Sequence, residues 1–315
     1  MKTLVVGAGV IGSFNAARLS AGGADVTVLA RGERLASLRD HGVTLEDWRT
    51  RRRTVTRVPV VERIDPDDRY DLVVVVRRNQ IPSVLPILTV AQSTPAFLFL
   101  GNNLSGSADM ADALGAERVL TGLPNAGGQR DGEVIRYIFT GRLPLIFGER
   151  DGVVRPSTRA IAALFADAGL PARAVAEAEA YQKTHGAGLP AFAGALYNAG
   201  GDVRRLARSP DLLKMFSAGY RDALRALVQD GTPIRPRAAK LLLRTPESLL
   251  LGGLRRFLDT ELAVVGGQAH ALAAVDEMVE LAEELRVILW RTAVQSQAND
   301  RAYGAIRQWA QRHGV

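Results

Sequence analysis

The chain has 315 residues, 47% of them hydrophobic, with 40 basic against 33 acidic side chains and no cysteine. That length supports two ordinary domains, and the lack of cysteine excludes disulfides, thiolate metal ligation and a cysteine nucleophile, so redox chemistry needs a borrowed cofactor and a cytoplasmic setting is expected. The net charge of +7 is scattered as arginines among acids, with only 6% aromatic residues, which argues against nucleic acid as a partner; no apolar run approaches the roughly 18 uncharged residues of a membrane span.

The first stretch, "KTLVVGAGVIGSFNAARLSAGGADVTVLARG" from residue 2 to 32, reads as a buried strand, a glycine turn, a helix and a second strand. Gly7, Gly9 and Gly12 fill a GxGxxG pattern: Gly7 permits the tight turn, Gly9 lets a pyrophosphate approach the backbone, and Gly12 lets helix and strand pack closely. The backbone of Gly7, Ala8, Gly9, Val10, Ile11 and Gly12 is therefore the expected dinucleotide-binding loop, with helix N–H groups facing the phosphates. Enzymes that use NAD place an acid at the end of the second strand; here Arg31 stands there, with Arg34 one helical turn on. A guanidinium pairs with a 2′-phosphate, so NADP(H) is the expected cofactor, although Glu33 weighs against it and Arg31 could simply begin a surface helix.

The basic tract "RTRRR" at 49 to 53 lies between two strand-like runs and is expected as a solvated hairpin tip. "YDLVVVVRRNQ" supplies a further buried strand that ends in Arg77, Arg78, Asn79 and Gln80, and "AFLFLGNNLSG" repeats the plan, ending in Asn102 and Asn103. In an open parallel sheet ligands bind beyond the carboxyl ends of the strands, so Arg78 and Asn102 are candidate cofactor contacts and Asn103 a candidate substrate contact; ordinary turn chemistry is the alternative. Three closely spaced strands, "RVLTGL", "EVIRYIFT" and "LPLIFGE", are expected to extend the sheet antiparallel, and "PSTRAIAALFADAG" to close the domain.

Beyond about residue 175 the strand pattern gives way to helices. Ser209 and Pro210 suit an N-cap and first helical residue, with Leu213, Phe216, Tyr220, Leu224 and Leu227 at helical spacing up to Gly231. "TPESLLLGGLRRFLDTELAVVGG" and "AHALAAVDEMVELAEELRVILWR" are expected as further helical segments. The fold class is thus α/β: a Rossmann-type doubly wound sheet with an antiparallel extension over residues 1–175, then an all-α domain over 176–315. Exposed apolar helix faces in the second half suggest a homodimer.

Only four lysines occur, Lys2, Lys183, Lys214 and Lys240, among 36 arginines. Lys183, in "AYQKTHGAG", is either solvated or a proton donor, a task to which an ammonium is suited and a guanidinium is not. His185 is either a second acid or base or a structural residue, and His270 is expected to pack; without HxxxH or clustered acids no metal is expected.

A GAGxxG start followed by Arg31, a "DLVVVV" strand ending in basic residues and Gln, Asn102 after the next strand, Lys183 opening the helical half and Glu261 in "TEL" about 80 residues later together resemble the ketopantoate reductases, or 2-dehydropantoate 2-reductases. The resemblance spans nearly the whole chain. It implies NADPH-dependent reduction of a 2-oxo acid to a 2-hydroxy acid, as in pantothenate biosynthesis, with Lys183 as general acid and Glu261 bonding a substrate hydroxyl. Where the family commonly carries two asparagines one and two turns after the lysine, this chain has Ala187 and Ala191; where it has a substrate-binding serine, Leu249 stands beside Ser248. Ala187, Ala191 and Ser248 are thus candidate substrate contacts, and their character points to a bulkier or less polar carbonyl substrate than ketopantoate. A protein that binds NADP(H) on this scaffold without hydride transfer is the alternative.

Overall fold

The computed structural model describes residues 1–76 and 81–315, so the expected contacts of Arg77, Arg78, Asn79 and Gln80 lie outside the described residues. The chain divides into two compact units, Met1–Gly101 with Ser107–Glu179, and Asn102–Gly106 with Ala180–Val315.

The first unit opens with β1 (Lys2–Val6), α1 (Val10–Ala21), β2 (Asp25–Leu29) and α2 (Gly32–His41), followed by β3 (Val43–Asp47), β4 (Arg53–Thr56) and β5 (Val60–Val61). It continues through β6 (Leu72–Val76), α3 (Ile81–Leu88), β7 (Phe97–Leu100), α4 (Ala108–Leu114), β8 (Val119–Leu123), β9 (Ala126–Asp131), β10 (Val134–Phe139), β11 (Leu145–Glu149), α5 (Pro156–Asp167) and β12 (Ala172–Ala174). Eight strands form the main sheet in the order β12-β11-β8-β7-β6-β1-β2-β5. From β8 to β5 all neighbours run parallel. Its strands are apolar on both faces because both are covered: Leu98 and Leu100 enter one core cluster while Phe97 and Phe99 enter the other. Strand order reverses at β1, which lies between β2 and β6; this is the switch point where open α/β sheets bind ligands.

The antiparallel extension is narrower than the sequence suggests. β11 runs antiparallel to β8, and β12 pairs parallel with β11, but β8 itself continues the parallel series. β10 leaves the main sheet for a second one of order β4-β3-β10-β9. Ile135 and Ile138 are buried, and the Tyr137 and Phe139 rings lie 4.9 and 5.6 Å from that of Phe14 on α1, so β10 packs on that helix and joins the core cluster that α1 shares with the main sheet. The arginine tract does form a hairpin tip between β3 and β4, where Arg51 and Arg53 bind the carboxylate of Glu46 at 3.2 and 2.6 Å.

In the second unit all described elements are helical: α6 (Ala178–Gly186), which begins just before the division, then α7 (Leu189–Asn198), α8 (Val203–Arg208), α9 (Pro210–Gln229) and α10 (Glu247–Leu258). A π-helical turn over Leu262–Gln268 leads into α11 (Ala269–Ala273), α12 (Val275–Arg291) and α13 (Gln297–Arg312). α9 starts as its sequence predicts, with the Ser209 hydroxyl accepting from Leu212 N–H and Pro210 in the first position. The long helix expected over 269–291 is broken at Ala274, where the backbone leaves helical geometry at φ −132° and ψ 52°. Alanine is the best helix former, so periodicity offers no warning of that break. No helix among the described residues is long and apolar enough to cross a membrane.

Candidate active site

In the first unit the glycine loop between β1 and α1 is shaped by what it excludes. Gly7 has φ +102°, which disfavours any side chain, and a Cβ there would lie 2.9 Å from Val76 Cγ2. A Cβ on Gly12 would sit 1.7 Å from the Gly7 carbonyl oxygen, so α1 reaches its place only because residue 12 has none. At Gly9 the same construction meets nothing within 4 Å. Gly9 is the extended residue before α1 and offers no side-chain cap, so first-turn N–H groups are left to a ligand. A tight turn, an uncapped helix start and open space at the middle glycine fit a dinucleotide pyrophosphate.

The Ala8 carbonyl accepts from Ser13 Oγ at 3.1 Å and from Arg34 Nε at 3.0 Å, which fastens the loop to α1 and α2 together. Arg34 also reaches the hydroxyls of Ser13 and Ser37, and Glu133 lies 3.5 Å away. Its side chain is only 13% exposed; burial, with Arg130 adding to it and Glu133 opposing, lowers its pKa from the ordinary value. Arg34 is therefore a strut of the loop, whereas Arg31 stands exposed at the end of β2, ahead of α2.

In the second unit Lys183 lies half-buried on α6, and no hydrogen bond or ion pair engages its ammonium among the described residues. The helix is held at the neighbouring residue: Tyr220 donates its hydroxyl to the Thr184 carbonyl at 3.1 Å, and Arg235 N–H donates to Thr184 Oγ1 at 3.0 Å. Glu261 is exposed immediately before the π-helical turn, and His270 follows that turn on α11. Helical irregularities of this kind are frequent at functional sites. The π turn is tied down through Gln268 Oε1, which accepts from Val203 N–H at 2.8 Å.

The loop Asn102–Gly106 packs beside the end of α6, where a Cβ on Gly186 would touch Leu104 at 3.4 Å. Asn102 Nδ2 donates to Glu277 Oε1 at 2.8 Å, and His270 Nε2 lies 3.5 Å from the same oxygen. His185 retains accessible surface, yet desolvation by the surrounding protein lowers its pKa; His270 lowers it further and Glu277 opposes both. The second unit thus gathers Asn102, His270 and Glu277 by contact and His185 by charge.

Three expected substrate contacts need correction. Asn103 is buried, and its amide is used within its own loop: Nδ2 donates to the Gly106 carbonyl at 2.7 Å while Oδ1 accepts from Gly106 N–H at 2.9 Å. Here turn chemistry prevails. Ala187 and Ala191 have no accessible surface and belong to the helical core, with Ala191 Cβ only 2.9 Å from where a Cβ on Gly219 would stand. Their neighbours fill the space that an asparagine side chain would need. Ala191→Asn is accordingly expected to lower stability by about 1–3 kcal/mol without any gain in turnover, because the amide is overpacked and has no partner; thermal melting beside an activity assay checks this. Ser248 is exposed on α10.

The roles of two residues are not legible in the sequence alone. Arg34 resembles a cofactor ligand in sequence, and only its turn toward Ala8 shows otherwise. Glu277 did leave a signal, since it shares the apolar stripe of α12 with Leu281, Leu285 and Ile288 and is itself buried. Among the described residues no group of three or more His, Cys, Asp or Glu side chains is placed to hold a metal ion.

Residues 3–152 match the family model described as ketopantoate reductase PanE/ApbA. No curated protein sequence matches the chain. Solved structures share the fold over its whole length. A protein of Ralstonia solanacearum MolK2 assigned as a ketopantoate reductase is 23% identical with a TM-score of 0.80, covering 100% of this chain and 99% of that one. A D-mandelate dehydrogenase solved with NADH and anilino(oxo)acetate is 14% identical with a TM-score of 0.80, covering 100% of both. The 2-dehydropantoate 2-reductase of Methylococcus capsulatus is 17% identical with a TM-score of 0.75, covering 100% of this chain and 98% of that one.

Proposed function

We propose, from the match of residues 3–152 to the ketopantoate reductase PanE/ApbA family model, that this protein reduces a 2-oxo acid to the 2-hydroxy acid with a nicotinamide cofactor, NADPH by preference. The observation that carries the reading is the glycine loop, closed to side chains at Gly7 and Gly12 and open at Gly9 over the uncapped start of α1. The backbone from Gly7 to Gly12 would hold the pyrophosphate and Arg31 the 2′-phosphate. When bound, the cofactor supplies a hydride for the carbonyl carbon.

The remaining chemistry belongs to this chain. Lys183 polarises the carbonyl oxygen, and its Nζ proton passes to the oxygen as negative charge develops there; water then restores the ammonium. Glu261 accepts from a hydroxyl of those 2-oxo acids that carry one. Alanine at 187 and 191, where the family commonly carries asparagine, offers no hydrogen bond to a ligand, which supports a 2-oxo acid less polar than ketopantoate. The D-mandelate dehydrogenase among proteins of this fold supports an aromatic or bulky example.

The test is oxidation of NADPH by purified protein across aliphatic and aromatic 2-oxo acids. Turnover on one or more is expected; tight cofactor binding with turnover on none would instead favour a protein that binds the cofactor without hydride transfer. Arg31→Ala should raise the KM for NADPH by roughly tenfold or more and leave that for NADH nearly unchanged, since a charge-assisted bond to the 2′-phosphate is worth about 1.5–3 kcal/mol. Equal losses with both cofactors would remove Arg31 from this role.

A further inference from the structure

Glu277 and Glu284, two turns apart on one face of α12, bind Asn102 and the Leu104–Ser105 pair of the same loop. Glu284 accepts from Leu104 N–H at 3.0 Å and from Ser105 Oγ at 2.6 Å, and the Leu104 side chain is buried in the helical core. Asn103 closes the loop upon itself. Little is then left to vary in Asn102 except which way its amide faces, and Glu277 decides that. An ionised carboxylate can only accept a hydrogen bond, so the amide must turn its NH₂ toward Glu277 Oε1, at 2.8 Å. The reverse orientation would set carbonyl oxygen against carboxylate. Oδ1 is consequently the atom that Asn102 presents elsewhere, and it has no hydrogen-bond partner among the described residues. The half-buried side chain leaves it open to a ligand.

We propose that Glu277 is a positioning residue which, by fixing the Asn102 amide, makes this point of the protein an obligate hydrogen-bond acceptor, selective for a donor on the ligand. The inference rests on the reductase reading above. Two donors suit it chemically: the hydroxyl of the 2-hydroxy acid and the carboxamide N–H of the nicotinamide. A carboxylate of the substrate does not suit it, because two acceptors would face each other.

A reversed pair tests the idea. Asn102→Asp alone sets two carboxylates face to face, and Glu277→Gln alone frees the amide to turn either way; each is expected to lower kcat/KM about tenfold. The double variant Asn102→Asp with Glu277→Gln restores one donor and one acceptor across the contact and still presents an oxygen to the ligand, so it should regain most of the lost kcat/KM. It also keeps the test alive if either single variant folds poorly. If the ligand donor is the carboxamide, the single variants weaken NADPH binding measured by fluorescence without substrate; if it is the hydroxyl, they raise the KM for the 2-hydroxy acid in the reverse, oxidising direction with cofactor affinity unchanged. Wild-type kinetics and cofactor affinity in Glu277→Gln, or a double variant no better than Asn102→Asp, would overturn the proposal while leaving the reductase reading intact. Wild-type protein that neither binds NADPH nor turns over any 2-oxo acid would overturn both.

Discussion

Lys183→Ala should cut kcat by roughly 10²–10⁴-fold, the usual contribution of a well-placed general acid, with affinity for reduced cofactor close to that of the wild type. Hydride arrival leaves an alkoxide that must be neutralised, and the half-buried Lys183 ammonium has no competing partner among the described residues. The backbone beneath it is fixed through Thr184 by Tyr220 and Arg235, so the substitution removes a proton donor without dismantling α6. Lys183→Arg is the sharper variant. It preserves charge yet hardly releases a proton, so it should rescue substrate affinity more than turnover. Steady-state NADPH oxidation paired with a fluorescence titration separates the two effects; turnover that survives in Lys183→Ala would remove the residue from the reaction.

The second large effect is a contrast between two glycines three residues apart. Gly12→Ala would force a methyl to 1.7 Å from the Gly7 carbonyl oxygen and 3.3 Å from Val76 Cγ2, so α1 has to move away from the sheet. Overpacking of this kind costs about 1–3 kcal/mol and occasionally more, and a fall of several degrees in melting temperature is expected together with lost cofactor binding. Gly9→Ala meets no atom within 4 Å. Its melting temperature without cofactor should stay at the wild-type value while NADPH affinity collapses, because the new methyl occupies space that a pyrophosphate needs. Stability measured with and without NADPH reads both: wild-type stabilisation by NADPH in Gly9→Ala would refute the phosphate-cradle role of this loop.

How far the molecule could be read in advance varies with the distance over which its information acts. The parallel strands β1, β2, β6 and β7 are legible because burial on both faces demands unbroken apolar runs such as "LVVVV". β10 is equally visible as a strand, yet its pairing with β3, some ninety residues earlier, depends on where α1 places Phe14 against it. The break at Ala274 lies inside a run of good helix formers. In the candidate site the glycines and Lys183 stand out by residue type alone, while Ala187 and Ala191 look like altered ligands until their complete burial shows them to be packing.

Local sterics and periodicity act between residues a few positions apart, and for that reason the order of strands and helices, the glycine turn and the α/β-then-α plan followed from the amino acids alone. Partnership acts through space. The sequence could not tell that Arg34 bonds the Ala8 carbonyl in place of a phosphate, or that Asn102 meets Glu277 across 175 positions. Only the packed core decides which polar group is buried beside which, because each such pair must satisfy the other where water cannot.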